Sequence, residues 1–148
     1  MSITLVIEDA RWRKLRGLQA RLKRAVGEAL HQAKAKDAAS LTLLLAGDAR
    51  VKSLNHDFRG KNVPTNVLSF PSAREDYLGD VAIAYGVTAR EAKASGKDLQ
   101  DHAVHLAVHG VLHLLGFDHV TERQAKAMEP LEVKILKKLQ IANPYEAA

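Results

Sequence analysis

Leu99 to Leu115 reads LQDHAVHLAVHGVLHLL. Val104, Leu106, Val108, Val111, Leu112 and Leu115 fall on every side of a 3.6-residue repeat, so the segment is too apolar all round for a surface helix. It belongs at the centre of a domain, and the other elements are laid around it.

Downstream, Thr121 with Gln124 forms a capping box that opens a last helix from Glu122 to about Gln140, before Pro144. Upstream, Gly79 to Tyr85 (GDVAIAY) reads as a strand, and Ala89 to Ala94 as a short helix ended by Gly96. Val67 to Phe70 is another strand, stopped by Pro71. Between it and the preceding helix, Arg59 to Asn66 (RGKNVPTN) is polar, cationic and interrupted by Pro64, hence a surface loop. Leu41 to Ala46 is a continuous apolar run, as in a strand covered on both faces, and Gly47-Asp48 ends it and caps a helix through Phe58. At the start, Ser2 to Ile7 is β-branched and apolar. Asp9 then caps one long helix whose apolar positions Trp12, Leu15, Leu18, Leu22, Val26 and Leu30 step by three or four. The expected fold is α+β: a mixed sheet of about four strands packed with about five helices, the histidine-bearing helix central.

At 148 residues and 47% hydrophobic, the chain can bury one good core, whereas splitting it would leave two marginal halves, so residues 1–148 read as a single domain. Met1 to Asp9 does not read as a signal peptide and no run approaches the ~20 apolar residues of a membrane helix, so no membrane partner is expected, and the lack of cysteine fits a cytoplasmic protein. Without cysteine, thiolate sites are excluded and any metal falls to His, Asp or Glu. The net charge of +5 favours an acidic partner such as nucleic acid. Its densest local form, seven cations without an acid between Arg11 and Arg24, reads first as the solvated face of a helix.

Five of the seven histidines lie between His102 and His119, and three fit His109-x-x-x-His113-x-x-Gly116-x-x-His119. Residues four apart on a helix share a side, with Cβ atoms ~5 to 6 Å apart, so His109 and His113 can reach one metal at ~2.0 to 2.1 Å. Gly116 can take the left-handed conformation that reverses the chain and returns His119 as a third ligand. From composition the string arises by chance in roughly one sequence in a thousand. His31, His56 and His102 read as ordinary packed or surface histidines. His105 stays open between the site, a supporting role and simple packing.

Three neutral imidazoles leave a tetrahedral zinc one open position, the arrangement of a catalytic site. Water there has its pKa lowered to about 7. Nickel, copper and iron accept the same ligands. Metzincin proteases share the spacing but carry Glu directly after the first His as general base; here that residue is Gly110.

Three strings together resemble the YbeY endoribonucleases: HGVLHLLGFDH (His109 to His119), LNHDFRGKNVPTNVLSFP (Leu54 to Pro71) and LGDVAIAY (Leu78 to Tyr85). The resemblance implies a zinc-dependent, single-strand-specific endoribonuclease of the cytoplasm. Its work would be the maturation of ribosomal RNA, including the small-subunit 3′ end, and ribosome quality control. It further implies that His109, His113 and His119 hold one zinc ion and that Arg59 is needed for activity. A guanidinium suits that role, because its planar fork binds two non-bridging phosphoryl oxygens as they gain charge. Asn62 and Asn66 depart from the family, which usually has Asp at both places. The attacking group is left open between metal-activated water, the RNA 2′-hydroxyl, and water helped by Asp118. The competing readings are a non-catalytic RNA-binding assembly factor with structural zinc and, further off, another metallohydrolase.

Overall fold

The computed structural model describes residues 2–36, 39–118 and 121–145. The strands are β1 (Ser2–Ile7), β2 (Ser40–Ala46), β3 (Val67–Pro71) and β4 (Tyr77–Ala84). The helices are α1 (Leu18–Gln32), α2 (Asp48–Arg59), α3 (Tyr85–Ala94), α4 (Leu99–Leu114) and α5 (Glu122–Lys138), with a 3₁₀ helix at Ala10–Lys14. The open sheet has the order β1-β2-β4-β3. β1 and β2 run parallel with Leu5 opposite Leu43, β2 and β4 parallel with Leu45 opposite Ile83, and β3 antiparallel to β4 with Ser69 opposite Val81. The expected α+β class, with a four-stranded mixed sheet and five helices, is the observed one.

Strand alternation divides the core. Leu41, Leu43 and Leu45 of β2 and Val81 and Ile83 of β4 meet α1, α4 and α5 on one face. Ala46 and Ala82 meet Val51 of α2 and Leu68 on the other, with Leu44 and Leu54 packed against them. Each fully buried leucine contributes about 1.5–3 kcal/mol relative to exposure. β2 is thus covered on both faces, as its unbroken apolar run predicts.

Ten of the sixteen residues of α4 are buried, so this helix is central as expected. What lets it sit so close to the sheet is Gly110. A Cβ there would lie 2.6 Å from Val81 Cγ1 and 3.2 Å from Ser69 Oγ. The Ser69 hydroxyl also donates to the Gly110 carbonyl at 2.8 Å. The residue after His109 therefore faces strands, with no room for a catalytic side chain.

The first helix departs from expectation. Asp9 does cap, accepting from the Arg11 amide, but the turn it opens is 3₁₀ and ends at Lys14. Leu15 is extended and Gly17 left-handed (φ 77°) before α1 begins at Leu18. The Trp12 indole donates to the Ala46 carbonyl at 2.9 Å, which pins the first turn to the end of β2. The direction that seats Trp12 there differs from the one that lays Leu18, Leu22, Val26 and Leu30 over the sheet, and Gly17 takes up the change.

Asp48 also differs from its expected part. α2 has no side-chain cap of its own. The Asp48 carboxylate instead accepts from the Val87 amide at 2.9 Å and pairs with Arg90, so it caps the first turn of α3. That helix starts at Tyr85, four residues before its expected start at Ala89.

Candidate metal centre

α4 ends where its sequence says it should. Gly116 takes φ 96°, its amide donates to the His113 carbonyl at 3.0 Å, and the Phe117 amide donates to Leu112 at 3.0 Å. This closes the last turn and reverses the chain. His119 lies outside the described residues.

Four residues apart on α4, His109 and His113 share a side. Their rings meet edge to face with centroids 4.6 Å apart, and their Nε2 atoms are 3.0 Å apart. Two imidazole lone pairs cannot face one another at that distance unless a proton or a cation lies with them. For metal–nitrogen bonds of ~2.0 to 2.1 Å, the edge of a tetrahedron is roughly 3.3 Å, so the pair is already close to metal-binding geometry.

The other side of His109 explains why its Nε2 turns that way. Nδ1 lies 2.6 Å from Glu132 Oε1 on α5. Glu132 is fully buried, and its Oε2 accepts from His105 Nε2 at 3.0 Å and from the Tyr145 hydroxyl at 2.6 Å. Burial alone would push this carboxyl up, but the hydrogen bonds from His105 and His109 outweigh it and hold the group at about 2. An ionised carboxylate only accepts, so the proton of His109 sits on Nδ1 and its lone pair on Nε2. Burial, then the hydrogen bond to Glu132, pushes the Tyr145 phenol far above its ordinary value.

His105, His109 and Glu132 offer ligand atoms all within 4.8 Å of one another, a metal-type cluster. Both Glu132 oxygens are occupied by three donors, so this carboxylate is placed to orient an imidazole whose far nitrogen meets the ion. Sequence reading did not single out Glu132. Its signal was an acid on the apolar stripe of α5, between Met128 and Leu136, which are likewise fully buried.

The histidine pair lines a groove of about 600 Å³ whose wall includes Arg59, Asn66, Ser69 and Asp118. Arg59 closes α2, and its Nη2 donates to the Ser69 carbonyl at 3.0 Å. The guanidinium is thereby carried across β3 into the groove. Lys61 and Asn62 are exposed in the loop that follows, and Lys61 does not line the groove.

Asn66 has work that an aspartate could not do. Its Nδ2 donates to Glu91 Oε1 at 3.0 Å, and its Oδ1 accepts from the Val67 amide at 2.7 Å. A carboxylate there would face another carboxylate. Glu91 also lies 3.0 Å from His102 Nε2. Burial pushes the His102 pKa down, and the Glu91 contact opposes it. Among the described residues, the buried Nδ1 atoms of His102 and His105 meet no hydrogen-bond partner.

Residues 6–140 match the family described as Endoribonuclease YbeY. The chain belongs to the YbeY endoribonuclease family. An Endoribonuclease YbeY of Dinoroseobacter shibae is 46% identical over 98% of this chain and 91% of that protein. One of Paracoccus denitrificans is 44% identical over 97% and 89%. The solution structure of TM1509 from Thermotoga maritima superimposes with a TM-score of 0.58 at 21% identity, covering 97% of this chain and 99% of that one, and so shares the fold. These relatives are named endoribonucleases, and the groove holding the histidine pair and Arg59 is formed by residues of the strings that carry the resemblance.

Proposed function

We propose that this YbeY protein is a zinc-dependent endoribonuclease that cuts single-stranded RNA in the maturation of ribosomal RNA, including the small-subunit 3′ end. Ribosome quality control in the cytoplasm, with the ribosome as partner, belongs to the same reading. The observation that carries it is the convergence of His109 Nε2 and His113 Nε2, 3.0 Å apart, in the groove that Arg59 lines. The proposed ligands are His109 and His113 with His119 as the third. The donor set fits zinc: imidazoles only, with one ring oriented from behind by a buried carboxylate. Among the described residues no helix is long and apolar enough to cross a membrane.

Zinc held there supplies a Lewis acid and lowers the pKa of water to about 7. The protein's own groups do the rest. The planar fork of Arg59 binds the non-bridging oxygens of the scissile phosphodiester as they gain charge. The Ser69 carbonyl fixes the guanidinium, so little ordering is left to pay for when RNA enters. Glu132 keeps the His109 proton on Nδ1, away from the groove. Asp118 also lines the groove.

The test uses zinc-loaded protein, a defined single-stranded RNA, and the variants His113→Ala and Arg59→Ala purified in parallel. The expected result is endonucleolytic cutting that falls by about 100-fold or more in each variant. Equal cutting by all three preparations would assign the activity to a contaminating ribonuclease. Salt-sensitive RNA binding without any cutting would turn the protein into an assembly factor with structural zinc.

A further inference from the structure

We infer that Phe58 is a stacking platform for one unpaired nucleobase of the strand whose phosphate Arg59 holds. The inference rests on the endoribonuclease reading and adds a base-binding subsite to it. Phe58 lies in the last turn of α2, next to Arg59, and is 69% exposed, the most exposed large apolar side chain among the described residues. It is held in place, because its ring meets Phe70 of β3 edge to face with centroids 5.4 Å apart.

The two rings stand in a second groove of about 670 Å³, floored by Leu44, Leu54 and Ala82 on the face of the sheet opposite α4. This groove shares Arg59, Ser69 and Pro71 with the one that holds the histidine pair. Arg59 therefore stands at the junction of a polar groove and an apolar one. Single-stranded RNA has this alternation in every nucleotide: a phosphate for a guanidinium, and beside it a π-face for an aromatic ring. Arg50 at the apolar rim and the net charge of +5 fit a polyanion and disfavour a second copy of this basic chain. Asp80 also borders the groove, where it accepts from the Tyr77 hydroxyl, and its charge directs a base rather than a phosphate onto the floor. Inside a duplex both faces of a base are stacked on its neighbours, so such a platform selects single strands.

The experiment compares the zinc-loaded wild type, Phe58→Ala and Phe58→Trp on short single-stranded RNAs in which 2-aminopurine is walked along the sequence. Fluorescence is read within the first turnover, and kcat and KM over many. The platform predicts quenching at one position relative to the cut, lost in Phe58→Ala and kept in Phe58→Trp. It predicts KM about tenfold higher for Phe58→Ala, with kcat little changed and the salt slope of binding kept. Unchanged KM and unchanged quenching in a Phe58→Ala protein that still cuts would overturn the platform and leave the nuclease standing. Quenching that needs Phe58, in a wild type that does not cut, would keep the platform and remove the nuclease. Thermal unfolding of both variants near the wild-type temperature excludes misfolding as the cause, as an exposed ring leads one to expect.

Discussion

Among the described residues α4 makes three histidine–carboxylate pairs, and two of them, His102 with Glu91 and His109 with Glu132, differ in the depth of the carboxylate. His102 Nε2 lies 3.0 Å from Glu91, whose side chain is 41% exposed. His109 Nδ1 lies 2.6 Å from Glu132, whose side chain has no exposure and which also receives His105 and Tyr145. His102 is buried, but Glu91 is open to water, which competes for its carboxylate and weakens the pair. Buried and fully subscribed, the carboxylate fixes which nitrogen of the ring holds the proton and where the other one points. Depth, not the pair itself, makes one an orienting device.

The strongest way to break this comparison is Glu132→Gln. The amide has one acceptor where the carboxylate had two, so its NH2 meets a donor on either the His109 or the His105 and Tyr145 side, and the set that fixes the His109 ring is broken. Zinc affinity should fall by about 10- to 100-fold, measured by competition with a chromophoric chelator, and stability by about 1–3 kcal/mol. Retained affinity would place Glu132 outside the metal site's support. Next comes Asn66→Asp, which sets a second carboxylate 3.0 Å from Glu91 and removes a donor. Urea unfolding should show a loss of about 1 kcal/mol near neutral pH, shrinking in Asn66→Asp/Glu91→Gln. Tyr145→Phe removes one of the three donors to Glu132 and should cost about 1 kcal/mol with at most a few-fold weaker zinc binding.

Glu91→Gln sharpens the contrast from the other side. Zinc affinity should be unchanged and stability altered by no more than about 0.5 kcal/mol at neutral pH. The smallest effect is its pH dependence. Burial holds the folded His102 pKa below its ordinary value, so the unfolded chain takes up a proton first and stability declines as pH falls through the ordinary histidine range. Glu91 opposes that depression, so removing it should steepen the decline, seen as a larger wild-type-to-variant difference in unfolding midpoint at pH 5.5 than at pH 7.5.

What was legible beforehand was whatever repeats along the chain. Helical spacing puts His109 and His113 on one side, and the left-handed Gly116 follows from its place after the last apolar turn. The strands were found from their apolar runs, and β2 was correctly placed as a strand covered twice. Less legible were the places where one residue answers to a distant one. Trp12 broke the first helix because its partner is the Ala46 carbonyl, and Asp48 left its own helix to cap α3. Asn66, which sequence marks only as a departure from the family, is matched to Glu91.

By itself, then, the sequence determined the elements, the histidine pair and the turn after it, since these depend on the local geometry of 3.6 residues per turn. The tertiary structure decided that Glu132, 23 residues on, would arrive behind His109, and that Arg59 would reach the groove across β3. It also decided that Phe58 would remain uncovered. Such meetings depend on how helices settle on the sheet, which close packing fixes in three dimensions and no periodicity along the chain encodes.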